Sequence, residues 1–211
     1  MNQKPSLLII GNSNVGKSTV TKLLLPNPKK FKGKTGKTPG STLLIKSISQ
    51  PGLPFQIVDL PGFGFMKRSS RRREEHVKKK IVEHIEKEHK NYFLGLVIVN
   101  IQRIEDELEK YYFKNKETIP LSFELISFLR EFDIPILILI NKIDKLSNID
   151  VKKNINLFVD SAGDFRLNMI HLDKFGNTHD SNIPYLEFSA LKKINLDKLK
   201  KFIHSSLKNK L

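Results

Sequence analysis

Residues Gly11-Asn12-Ser13-Asn14-Val15-Gly16-Lys17-Ser18 spell the octet G-x-x-x-x-G-K-S, and their surroundings decide how the rest of the chain is read. The apolar run Leu7-Leu8-Ile9-Ile10 before them predicts a short buried strand, and Thr19 to Leu25 after them predicts a helix. In a strand–glycine loop–helix unit the glycines let the backbone turn tightly and aim successive N–H groups at phosphate oxygens. Lys17 then places its amine on the β- and γ-phosphates, and the Ser18 hydroxyl reaches Mg²⁺. The competing reading, a glycine turn with an incidental lysine, leaves the flanking strand and helix unexplained. Gly11 through Ser18, with Thr19 behind them, are therefore the candidate phosphate-binding residues.

The chain has 211 residues, within the range of one domain and long enough to bury a core. Hydrophobic content of 39% with 28% charged residues fits a water-soluble globular protein. No apolar run approaches the roughly 20 residues that a membrane helix requires, so stable membrane insertion is not expected. The longest, Ile134 to Ile140, is interrupted by Pro135 and predicts a buried strand. The absence of cysteine excludes disulfides and thiolate metal sites. Met1 to Ser6 lead into the first strand without a signal peptide's longer apolar segment, so a cytoplasmic monomer is the expectation. Lys and Arg number 37 against 22 Asp and Glu, a net charge of +15. A/T-rich codon usage accounts for part of such an excess, but a charge this high favours a polyanionic partner: RNA, a ribonucleoprotein or an anionic membrane surface.

Strand-like runs alternate with amphipathic helical stretches along the whole chain, which predicts an α/β fold: a mostly parallel sheet with helices on both faces. Six strands are expected: Leu7–Ile10, Thr42–Ile48, Phe55–Asp59, Leu94–Val99, Ile134–Ile140 and Tyr185–Phe188. The second and third flank a Gln50-Pro51-Gly52 turn and should pair antiparallel. Helices are expected over about Ser70 to Lys90, Ser122 to Phe132, Val151 to Val159 and Leu196 to Leu207. The Lys/Gly/Pro-rich stretch Pro26 to Ser41 is not regular structure. Ile104 to Pro120 and Ser161 to Ile183 read as surface excursions from a single domain spanning 1–211.

Three later motifs complete a constellation. Asp59-Leu60-Pro61-Gly62 ends a strand, where a carboxylate can reach Mg²⁺ through water and a glycine N–H can meet a γ-phosphate. Asn141-Lys142-Ile143-Asp144 follows another strand. The Asp144 carboxylate can accept from guanine N1–H and N2–H₂, donors that adenine lacks, so the wrong base leaves a buried charge unpaired. Lys142 can lay its stem across the base, and Asn141 can tie this loop to the phosphate loop. Phe188-Ser189-Ala190 follows the last strand, where the Ala190 N–H can meet guanine O6. Each piece alone is weak; Asp59 and Asp144 in isolation would pass as helix or turn caps. Four pieces in this order, at the strand ends where open α/β sheets bind ligands, indicate a GTP- and GDP-binding site.

Here the chain resembles a known family. The octet, Lys37-Thr38-Pro39-Gly40-Ser41-Thr42, Asp59-Leu60-Pro61-Gly62-Phe63-Gly64-Phe65 and Asn141-Lys142-Ile143-Asp144-Lys145-Leu146 are together similar to the EngB (YihA) family. These are small Ras-like P-loop GTPases of the Era/EngA/TrmE/septin branch. The resemblance implies a Ras-like fold and a role in assembling the large ribosomal subunit, with ribosomal RNA or that subunit as partner. Three features depart from the family pattern. The usual longer N-terminal segment is nearly absent, Asn100-Ile101-Gln102-Arg103 stands where the family carries Asp-x-Arg, and Ser161 to Ile183 is an addition.

The resemblance also bears on hydrolysis. Ras-like enzymes orient the attacking water with a glutamine directly after D-x-x-G. That position is Phe63 here, so slow intrinsic turnover is expected. Related GTPases hold a potassium ion, acting like an arginine finger, with an asparagine at the fourth position of the loop; Asn14 stands there, and a purely structural role in the loop stays open. Thr42 is the favoured second Mg²⁺ ligand beside Ser18 and Asp59, with Gly40 and Ser41 beside it and Thr35 and Thr38 as competitors. Lys17, Asn14, Thr42 and Gly62 form the expected catalytic set. Lys29 to Ser41 and Asp59 to Phe65 become the two switches. Eight cations within Lys67 to Lys80 follow the second switch and suit RNA phosphates, though such a run also serves as a solvated helix face. The competing functions are a nucleotide-binding scaffold and a membrane-surface or division GTPase with little turnover.

Overall fold

A computed structural model describes residues 4–31, 45–62, 71–114, 118–176 and 181–210, apart from the side chains of 71–74. Its core is a seven-stranded sheet in the order β2-β3-β1-β4-β5-β7-β6. The strands are β1 (Ser6–Gly11), β2 (Lys46–Ile48), β3 (Gln56–Asp59), β4 (Tyr92–Asn100), β5 (Ile136–Asn141), β6 (Met169–His171) and β7 (Ile183–Phe188). Among the described strands only β2 runs antiparallel, pairing Lys46 with Asp59 and Ile48 with Ile57. The Leu53 amide donates to the Gln50 carbonyl at 3.1 Å and closes the turn between β2 and β3. All other pairings are parallel. The mostly parallel α/β sheet read from the sequence is therefore present.

Among the described residues, six α-helices accompany the sheet: α1 (Lys17–Leu24), α2 (Arg71–Glu88), α3 (Ile104–Leu108), α4 (Leu121–Glu131), α5 (Asn148–Gly163) and α6 (Leu196–Lys210). Alternation along β1 divides the core. Leu8 and Ile10 join Ile81 and Ile85 of α2 and the apolar faces of α3, α4 and α5. Leu7 and Ile9 face the other way, onto Val20 and Leu24 of α1 and Leu199, Ile203 and Leu207 of α6. Every residue of β1, β4 and β5 is buried, as parallel strands covered on both faces must be. Because α1 and α2 lie on opposite faces, the crevice beside the end of β1 is the topological switch point of the sheet.

Two expectations need correction. The sheet has seven strands rather than six, because Met169–His171, within the expected excursion Ser161 to Ile183, pairs parallel with β7. Three half-buried residues at a sheet edge carry too little periodicity to be read locally; their order comes from pairing with β7. The other excursion, Ile104 to Pro120, begins as α3, whose Ile104 and Leu108 are each 1% exposed, and passes into a π-helical turn over Glu109–Phe113. On α2, His76 is exposed, whereas His84 is half-buried, with Nε2 2.8 Å from the hydroxyl of buried Tyr92. Burial there holds the His84 pKa below its ordinary value. Among the described residues no helix is long and apolar enough to cross a membrane.

Candidate nucleotide site

The four motifs meet at one edge of the sheet. Gly11, Asp59, Asn141 and Phe188 are the last residues of β1, β3, β5 and β7, all parallel, so the loops that follow emerge side by side. After Gly11 the chain turns through Asn14 at φ 63° and Gly16 at φ 107° before α1 begins at Lys17. Gly16 is tightly confined: a Cβ there would lie 2.4 Å from Asn141 Nδ2. Asp59-Leu60-Pro61-Gly62 lies directly against the same loop. A Cβ on Gly62 would come within 2.7 Å of Ser13 Oγ and 2.9 Å of its Cα, so no larger residue fits without moving the phosphate loop.

Lys17 folds back over the loop, its amine donating to the Gly11 carbonyl at 3.0 Å and the Asn12 carbonyl at 2.8 Å. It is 8% exposed, and burial pushes its pKa down to about 8 against the opposing pull of Asp59. Asp59 is 2% exposed, and burial pushes its carboxyl up to about 6 despite Lys17 and Lys46. Its Oδ1 is buried without a hydrogen-bond partner among the described residues. A buried amine and an unpartnered buried carboxylate oxygen on adjoining loops suit an anion at one and a cation at the other. Asp59 and the Ser18 hydroxyl thus fit a hard, oxygen-ligated Mg²⁺.

Asn141 joins three of the loops. Its Nδ2 donates to the Val15 carbonyl at 2.7 Å, and its Oδ1 accepts from the Ala190 amide at 3.0 Å. Asn141 is 1% exposed, and leaving either buried partner unpaired would cost about 1–3 kcal/mol. Lys142, held at φ 70°, donates to the Asn14 carbonyl at 2.7 Å, so its side chain reaches back to the phosphate loop. Burial and the nearby Arg103 guanidinium hold the Lys142 pKa below its usual range. The Asp144 carboxylate is only 6% exposed and accepts from the Ser189 hydroxyl at 2.5 Å.

That Ser189 contact was not legible in the sequence, because a Ser-Ala pair has no signature and 45 residues separate the partners. Parallel pairing of β5 with β7 brings them together. Asn12 makes another unforeseen contact, donating from Nδ2 to Glu107 Oε2 of α3 at 3.2 Å. Gly40, Ser41, Thr42, their competitors Thr35 and Thr38, and Phe63, Phe65, Lys67 and Arg68 lie outside the described residues, as do the side chains of Arg71, Arg72 and Arg73.

Residues 6–142 match the profile of a family described as 50S ribosome-binding GTPase. The chain belongs to that family. Within it the similarity is to EngB proteins. A probable GTP-binding protein EngB of Pyrococcus horikoshii is 32% identical over 169 residues, 80% of this chain and 72% of the relative. One from Methanococcus aeolicus is 34% identical over 75% of this chain, and the match spans 66% of that relative's length. A crystal structure of a probable GTP-binding protein EngB superposes with a TM-score of 0.75 at 28% identity, covering 97% of this chain and 99% of the other. The EngB likeness extends past residue 142 to β7 and α6, so the Ser189–Ala190 loop lies within the shared fold.

Proposed function

We propose that this chain is a single-domain, monomeric, cytoplasmic GTPase that binds GTP and GDP with Mg²⁺ and works as a nucleotide-dependent switch on the large ribosomal subunit. The observation that carries the nucleotide reading is Asn141, whose one amide ties the phosphate loop to the Ser189–Ala190 loop beside a buried Asp144. On this reading Gly11 to Thr19 take the phosphates, and Asn141, Lys142, Asp144 and Phe188 to Ala190 take guanine.

When the nucleotide arrives, Lys17 exchanges two backbone carbonyls for phosphate oxygens, and negative charge beside the buried amine favours its protonated form. Ser18 and Asp59, joined by Thr42, would hold Mg²⁺, which supplies charge neutralisation between the β- and γ-phosphates. Gly62, pressed against Ser13, offers its N–H toward the γ-phosphate and so reports its presence to the second switch. Phe63, the next residue, has no polar group to orient water, so intrinsic turnover is slow and rises with potassium held at Asn14 or on docking to the ribosomal particle.

The partner reading rests on charge and family. Lys78, Lys79 and Lys80 are exposed on α2, which follows the second switch directly, so a change of nucleotide can alter how they meet RNA phosphates. Phosphate release tests the hydrolytic reading. GTP, and not ATP, should be turned over slowly, faster in potassium than in sodium at equal ionic strength, with Asn14→Ala abolishing the difference. Equal rates in both salts would remove potassium from the mechanism. No release in either salt, with or without ribosomal particles, would leave a nucleotide-binding scaffold instead.

A further inference from the structure

Besides Asn141 and Lys142, a carboxylate on α3 also reaches the phosphate loop from outside it. Glu107, half-buried on α3, accepts from Asn12 Nδ2 at 3.2 Å through Oε2. Through Oε1 it accepts from the Ser122 amide at 2.8 Å and the Ser122 hydroxyl at 2.7 Å, in the first turn of α4. Ser122 is 4% exposed, and α3 is pinned to the core by Ile104 and Leu108, so the carboxylate has little freedom. Asn12 is in turn the residue whose carbonyl receives the Lys17 amine at 2.8 Å. Its own side-chain Oδ1 is buried with no partner among the described residues, so Glu107 is the contact that fixes this side chain there. None of the nucleotide motifs requires a residue at 107.

We propose that Glu107 is a positioning residue for the phosphate loop: by holding Asn12 it sets the carbonyl that holds Lys17, so the surface segment beginning at Ile104 controls how tightly nucleotide is retained. A charged acceptor with three donors in fixed geometry is a strong anchor, and it is applied at the second residue of the loop. Removing it frees Asn12 to rotate and loosens the Lys17 cradle, which raises the nucleotide dissociation rate. A role confined to capping α4 would lower thermal stability and leave dissociation alone. The inference rests on nucleotide occupying the phosphate loop.

The test measures dissociation of a fluorescent GDP analogue from the full chain in Mg²⁺, with melting temperature recorded for each variant. Glu107→Ala and Asn12→Ala should each speed dissociation about tenfold, and the double variant should go no faster than either alone. Ser122→Ala, which leaves the Asn12 contact in place, should lower the melting temperature with dissociation unchanged. Glu107→Gln should recover most of the retention, because its amide can still accept from Ser122 and donate to an Asn12 turned to present Oδ1. Glu107→Asp, one methylene shorter, should not. Unchanged dissociation in Glu107→Ala would overturn the proposal, as would single effects that multiply in the double variant. If Glu107→Ala does not fold, Glu107→Gln and Glu107→Asp decide it: indistinguishable dissociation rates overturn the proposal. Failure of the unaltered chain to bind the analogue would instead strike the nucleotide reading itself.

Discussion

Replacing Asp144 by Asn is expected to weaken guanine-nucleotide binding at least ~100-fold and to admit xanthine nucleotides in their place. The carboxylate is nearly shut off from water, and the Ser189 hydroxyl already occupies one side of Oδ1. Two donors from guanine, N1–H and N2–H₂, can take acceptor positions that Ser189 leaves open. An amide at this position keeps one acceptor and turns a donor toward a guanine donor, a mismatch that buried surroundings make expensive. Xanthine carries an oxygen where guanine has its amino group and accepts from that amide. Competition between labelled GTP and unlabelled GTP, XTP and ATP measures the change. Undiminished preference for guanine in the variant would remove Asp144 from base recognition.

Lys17→Ala should have an effect of similar size on the phosphates. The amine donates to two backbone carbonyls that otherwise face the interior of the loop. Hydrogen bonds to a charged group are worth about 1.5–3 kcal/mol each, so losing those to two phosphate oxygens corresponds to roughly 100-fold or more in affinity. The base half of the site is untouched, so guanosine alone should bind as weakly to the variant as to the original chain. Calorimetric titration with GDP and with guanosine separates the two. Retained GDP affinity in Lys17→Ala would show that the loop's amides, rather than its lysine, hold the phosphates.

The phosphate loop, the strands feeding it and the Asn141–Asp144 loop were legible because each rests on local pattern. Continuous apolar runs mark strands buried on both faces, and glycines mark turns where backbone approaches backbone. The reading failed where structure is imposed from elsewhere in the chain. Met169–His171 becomes a strand only because β7 offers it an edge. Ser189 and Glu107 are ordinary polar residues in sequence; parallel pairing of β5 with β7 sets the first under Asp144, and the packing of α3 sets the second beside Asn12. Such contacts depend on which elements become neighbours, and local periodicity carries no record of that.

Co-sedimentation with purified ribosomal subunits, in a non-hydrolysable GTP analogue against GDP and across a salt series, tests the switch most directly. The chain should pellet with the large subunit in the analogue and stay in solution in GDP. Its affinity should fall steeply as salt rises, because lysines and arginines that meet RNA phosphates release counterions. Neutralising Arg71, Arg72 and Arg73 together should weaken pelleting and flatten the salt dependence. Equal pelleting in GDP and in the analogue, or none with either subunit while the chain binds anionic vesicles, would contradict a nucleotide-gated ribosomal partner.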